Sequence, residues 1–181
     1  MRIISGIYRG RVIHPPKNLR ARPTTDFAKE NLFNVLGNLM EIEGADVLDL
    51  FSGTGSISYE CASRGAASVV SVEINAVHFR FIRQTAQDFG FRQIFPIKAN
   101  AFLYLKSVTK TFDLIFADPP YDINGSEEIP NLVFQHHLLR DGGILVFEHS
   151  KNMDVSHLPY FYERRTYGSV NFSIFRNGEN L

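Results

Sequence analysis

The sequence predicts an α/β fold: a mostly parallel sheet with helices on both faces, closed at one edge by an antiparallel hairpin. Three observations predict it. From Asp46 onward, short runs rich in β-branched and aromatic residues ("DVLDLF", "SVVSVE", "IFPIKAN", "FDLIFAD" and "GILVFEHS") alternate with stretches of helical periodicity. The runs are apolar at consecutive positions, so both faces of each strand are covered, as in parallel sheets sandwiched by helices. The last two runs, "YFYERRTY" and "NFSIFRN", are separated only by Gly168 and its neighbours. That is too short for a crossover, so they pair antiparallel.

The elements follow in order. "RIISGIYRGRVIH" reads as a small β-hairpin punctuated by Gly6 and Gly10. "PPKNLRARP" is extended, because a residue before proline is pushed away from the helical region. Ala28, Leu32, Val35, Leu36 and Leu39 form one stripe of a helix that Thr25 or Asp26 can cap, and Gly44 ends the connection into the first strand. After the second strand, Phe79, Ile82, Ala86 and Phe89 recur on one face of a helix starting near Asn75. Two regions result: a basic hairpin-and-helix extension over residues 1–45, and a main domain over 46–181.

Composition narrows the function classes. A chain of 181 residues, 44% hydrophobic and 21% charged, is that of an ordinary globular protein, with no repeat or low-complexity run. No apolar run approaches the roughly 20 residues that cross a bilayer, and "MRIISG" lacks the apolar core of a secretory signal, so the expectation is a cytoplasmic protein without membrane contact. Cys61 is the only cysteine and sits in an apolar helical segment; it reads as a buried thiol. The zero net charge hides an asymmetry: Arg2, Arg9, Arg11, Lys17, Arg20 and Arg22 precede Asp26 with no acid among them. Such a block suits a polyanion, or is simply a solvated arm.

The chemistry lies where strands end. "LDLFSGTGS" places Gly53 and Gly55 between a strand and a helix, where missing side chains let a ligand approach the backbone. Glu73 closes the second strand, 20 positions after Gly53, where an acid accepts from ribose hydroxyls. Together they indicate an adenosine-type cofactor. Ser58 stands where a dinucleotide site would carry its third glycine, which counts against a nicotinamide enzyme. Asn100 and Ala101 end the third strand; the Asn100 amide could accept from an adenine amino group, or merely cap a helix. Asp118, Pro119, Pro120 and Tyr121 end the fourth. The two prolines stiffen the loop, the Asp118 carboxylate and Pro119 carbonyl can grip one NH₂ group, and Tyr121 offers a flat face to a base. An exocyclic amino nitrogen is a poor nucleophile; acceptors that favour its pyramidal form, and an acid that stabilises the cation formed on methyl transfer, need neither metal nor covalent intermediate.

"RIISGIYRGR", "RPTTDFAKENLFNVL", "VLDLFSGTGSISYECASRGA", "SVE" and "FDLIFADPPYD", in this order, resemble the RsmD-type bacterial 16S rRNA guanine-N2 methyltransferases over nearly the whole chain. The resemblance implies a Rossmann-like class I methyltransferase with a seven-stranded sheet, S-adenosylmethionine as donor (S-adenosylhomocysteine as product) and no metal. It also implies a guanine in 16S rRNA as target, within a small-subunit particle, and a monomeric enzyme. By position it assigns Asp49, Gly53 and Gly55 to the cofactor's methionine end, Glu73 to its ribose and Asn100 with Ala101 to its adenine, with Phe51 also a cofactor contact. Asp118, Pro119, Pro120 and Tyr121 hold the base, Asp118 also adjoining the cofactor. The basic arm then contacts RNA through Arg9, Arg11, Arg20 and Arg22. Relatives often carry Asp at position 100 and Arg at position 27, where this chain has Asn100 and Phe27. Two other readings fit the motifs: an N6-adenine DNA or RNA methyltransferase, and a catalytically silent RNA-binding assembly factor.

Overall fold

The computed structural model describes residues 1–16, 19 and 25–178. The strands are β1 (Asp46–Leu50), β2 (Ser68–Glu73), β3 (Ile94–Lys98), β4 (Phe112–Ala117), β5 (Leu139–His149), β6 (Phe161–Tyr167) and β7 (Val170–Arg176). The helices are α1 (Asp26–Leu39), α2 (Ser56–Ser63), α3 (Ala76–Phe89), α4 (Ala101–Ser107) and α5 (Ile129–Gln135). All seven strands join one sheet in the order β3-β2-β1-β4-β5-β7-β6. The first five pair parallel, and β7 pairs antiparallel to both β5 and β6. The order reverses between β1 and β4, which opens a crevice at the carboxyl ends of those two strands.

Successive strand residues feed opposite faces. Val47, Val69, Leu114 and Val146 pack with α1, α2 and α3 through Leu32, Cys61 and Ile82, whereas Leu48, Val70, Ile115 and Leu145 pack with α4 and α5 through Leu105 and Val133. This period of two, with apolar residues at both phases, is why the strand runs read as continuous. Cys61 is fully buried, which pushes its thiol up, and its surroundings are core. Pro96 sits inside β3, at the edge of the sheet, where its missing N–H breaks no ladder. No helix among the described residues is long and apolar enough to cross a membrane.

The amino terminus differs from a regular hairpin. It holds a single antiparallel bridge, Arg2 opposite Val12, flanked by Met1–Ile13 and Ile3–Arg11 backbone bonds at 2.9 Å, and beyond Ile3 several of its donors turn to α2. The N–H groups of Ile4 and Ser5 donate to the Glu60 carboxylate at 2.8 and 3.0 Å, and that of Ile7 to the Ser63 carbonyl at 2.8 Å. Gly6 lies against this contact with φ +82°, and a Cβ there would fall 1.8 Å from the Ser63 carbonyl oxygen. Ile3 and Ile13 enter the same core as α1. Lys29 is 1% exposed; its ammonium donates to the Arg2 carbonyl at 2.7 Å and the Ser56 hydroxyl at 3.1 Å, and lies 3.7 Å from Glu60. The apolar stripe of α1 gave no hint of this buried cation.

Candidate active site

The turn after β1 runs through the left-handed region at three positions: Gly53 (φ +56°) and Gly55 (+87°) adopt it without a Cβ penalty, whereas Phe51 (+58°) holds it as a strained non-glycine. The two glycines serve different ends. Gly53 borders the crevice and donates its N–H to Glu73 Oε2 at 2.8 Å, tying the turn to the end of β2. Gly55 faces inward, and a Cβ there would meet the Tyr59 ring at 2.7 Å. Its absent side chain serves packing.

Glu73 is held on its other oxygen by the Asn75 N–H at 2.7 Å. A carboxylate has about four acceptor sites, so these two bonds do not exhaust it. Asp49, by contrast, is 1% exposed and lies beneath the turn, accepting from the Ser58 hydroxyl at 2.5 Å, which in turn contacts Ser71 at 2.6 Å. Burial pushes its carboxyl up to about 7; the Ser58 bond opposes this, and the nearby Asp118 and Glu73 charges add to it. Ser58, noted in the sequence only as a missing glycine, is thus a buried partner of Asp49.

The crevice encloses about 490 Å³. Phe51, Gly53 and Glu73 border it together with Asn100 and Ala101, and so do Asp118, Pro119, Pro120 and Tyr121. Four segments distant in sequence therefore meet at one sheet edge; Asp49 and Gly55 stand behind its wall. Asn100 both borders the cavity and caps α4, its Oδ1 accepting from Phe102 and Leu103 N–H at 2.9 and 3.1 Å. With that oxygen engaged twice, the atom Asn100 can turn to a ligand is its amide nitrogen, a donor. The loop after β4 is closed by the Ile123 N–H on the Pro120 carbonyl at 3.1 Å, and Tyr121 remains 51% exposed at the mouth.

Thr25, His78, Ile123, Glu148, Ser169 and Val170 also border the cavity, and sequence reasoning missed them. Glu148 lies near the carboxyl end of β5, so extending the strand-end rule to every parallel strand would have found it. Thr25 and the residues after Gly168 arrive through tertiary packing, for which no local signal exists. Arg9 and Arg11 are exposed on the amino-terminal loop, away from the cavity lining, with the Arg11 guanidinium 5.0 Å from the Tyr8 ring centre. Arg20 and Arg22 lie outside the described residues. Phe27 is 65% exposed and meets Tyr167 edge-on at 6.3 Å. Among the described residues, no three His, Cys, Asp or Glu side chains gather as metal ligands.

A sheet of this order, with the acid Glu73 closing β2 and an Asp-Pro-Pro-Tyr loop after β4 around one crevice, is that of a Rossmann-like class I S-adenosylmethionine-dependent methyltransferase. The chain belongs to the family described as conserved hypothetical protein 95, the RsmD-type methyltransferases, whose model matches residues 1–176. The ribosomal RNA small subunit methyltransferase D of Buchnera aphidicola is 27% identical, over 100% of this chain and 94% of its own. The solved structure of an Escherichia coli protein named as a methyltransferase superposes with a TM-score of 0.86 at 25% identity, covering 98% of each chain. A 16S rRNA N2 methyltransferase of T. thermophilus, solved with AdoMet and guanosine, has a TM-score of 0.70 at 18% identity over 87% of this chain and 44% of its own; that likeness is one of fold.

Proposed function

We propose that this protein transfers a methyl group from S-adenosylmethionine to the exocyclic N2 of a guanine in the 16S rRNA of the small ribosomal subunit. The observation that carries the reading is the meeting of Glu73 and Gly53 with the Asp118–Tyr121 loop around one crevice. The residues suit the cofactor: Glu73 keeps acceptor sites for ribose hydroxyls, Phe51 offers an apolar wall, and Asn100 with Ala101 forms the adenine end. Bound there, S-adenosylmethionine supplies an electrophilic methyl group and leaves as S-adenosylhomocysteine.

The chain's own residues do the rest. Tyr121 stacks on the target base. The Asp118 carboxylate and Pro119 carbonyl accept from the amino group, and their position fixes the nitrogen lone pair toward the methyl group. As that nitrogen becomes cationic, Asp118 stabilises the transition state more than the ground state, and the excess proton then passes from the nitrogen to solvent water. Residues 1–45 serve as the RNA-facing region, with Arg9, Arg11, Arg20 and Arg22 on phosphates, and residues 46–181 as the transfer domain; exposure of Arg9 and Arg11 supports this. The substrate is the small-subunit particle, whose packed rRNA would present a looped-out base.

The test is nucleoside analysis of small subunits, free 16S rRNA and DNA after incubation with labelled cofactor. Label in N2-methylguanosine of the small subunits is the expected result. Label confined to N6-methyladenine overturns the guanine assignment, and absence of turnover on native subunits favours a silent RNA-binding factor.

A further inference from the structure

We propose that Glu148 is the specificity-determining residue that reads the target base, its carboxylate accepting the guanine N1–H beside the amino group held by Asp118. The inference rests on the guanine reading above and extends it to how the base is chosen. It starts from register. β4 and β5 run parallel with Ala117 opposite Phe147, so the next step sets Asp118 and Glu148 side by side at the carboxyl edge. Paired residues of neighbouring parallel strands project from the same face of the sheet. Both border the crevice, and Glu148 does so while only 5% exposed.

Its neighbours point to the base rather than the cofactor. The Tyr121 hydroxyl lies 3.5 Å from Glu148 Oε1, so the acid adjoins the ring on which the base stacks, on the side of β4 away from Gly53 and Glu73. Asp118, the Pro119 carbonyl and Glu148 then form a wall made only of acceptors. Guanine matches such a wall, because its N1–H and 2-amino group are adjacent donors. Adenine does not: beside its 6-amino group lies the bare lone pair of N1, which a carboxylate repels. An acid here thus rejects the base that Asp118–Tyr121 alone would accept.

The test is Glu148→Gln, which keeps size and an acceptor oxygen but replaces the second acceptor with a donor. On small subunits, formation of N2-methylguanosine should fall about 10- to 100-fold, the loss of a charge-assisted hydrogen bond, with calorimetric affinity for S-adenosylhomocysteine unchanged. The ratio of N2-methylguanosine to N6-methyladenosine should fall with it; an unchanged ratio or a wild-type guanine rate overturns the proposal. Should the variant lose cofactor binding, the wild-type protein decides the matter. Saturated with S-adenosylhomocysteine, it should bind guanosine at least about tenfold more tightly than 2-aminopurine riboside, which keeps the 2-amino group but lacks N1–H. Equal affinities overturn it. If wild-type protein forms no N2-methylguanosine, the guanine reading itself fails; if it does and Glu148→Gln matches it, only the role of Glu148 fails.

Discussion

Two acids of the site sit at different depths and should respond to substitution differently. Asp118 borders the cavity and is assigned the amino group, so Asp118→Ala should cut kcat by at least about 100-fold, the scale of losing one transition-state acceptor, and leave calorimetric cofactor affinity nearly unchanged. A parallel loss of cofactor affinity would place Asp118 in the wrong subsite. Asp49 lies beneath the turn, its carboxyl raised from an ordinary 3.8 to about 7 by burial. A folded-state value above the unfolded one means that the folded protein binds the proton more tightly. Below about pH 4 the side chain therefore costs nothing, stability declines as pH rises from about 4 to about 7, and the full penalty persists above. Asp49→Asn removes that penalty while still accepting from Ser58. Its melting temperature should match wild type near pH 4 and exceed it at pH 8 by about 4 °C or more, given roughly 2–4 °C per kcal/mol at this chain length.

The elements were read from local patterns, which hold where the cause is local and fail where it is distant. The helix predicted near Asn75 begins at Ala76, with Asn75 Oδ1 accepting from Val77 N–H at 2.8 Å, since capping is a property of adjacent residues. Likewise the Thr25 hydroxyl accepts from Ala28 N–H at 3.1 Å at the start of α1. The amino-terminal hairpin pairs only over Met1–Ile3 and Arg11–Ile13, because past Ile3 the N–H groups of Ile4 and Ser5 turn to Glu60, some 55 residues away in the chain. Lys29 belongs to the same junction of α1, α2 and the amino-terminal loop. Removing one partner of a buried ion pair leaves a charge uncompensated, and Lys29→Met should destabilise the fold by about 3 kcal/mol in urea unfolding at neutral pH. The Arg64 guanidinium, 2.8 Å from Glu60, keeps the loss from being larger. A cost below about 1 kcal/mol would mean that packing alone holds the loop.

Across the whole molecule, the proposed function assigns anchoring to the cationic amino-terminal loop and chemistry to the crevice. Replacing Arg9 and Arg11 together with Gln should weaken rRNA binding and flatten its logarithmic salt dependence by about one to two units, with cofactor affinity unchanged; an unaltered slope would remove the loop from the RNA interface. Arg11 also rests on Tyr8 and Phe89, so a melting curve of the double variant separates lost packing from lost phosphate contact. Fold class, helix caps, the Gly53 turn, Glu73 and the Asp118–Tyr121 loop were legible in the chain alone, because periodicity, proline and glycine stiffness and strand-end chemistry are written in neighbouring residues. The separate duties of Gly53 and Gly55, the sinking of Asp49 under its turn, the engaged oxygen of Asn100 and the arrival of Thr25, Glu148 and Ser169 at the crevice were not. Those depend on which distant segments the sheet order brings within a few ångströms, and burial and hydrogen-bond partnership exist only once that packing has been made.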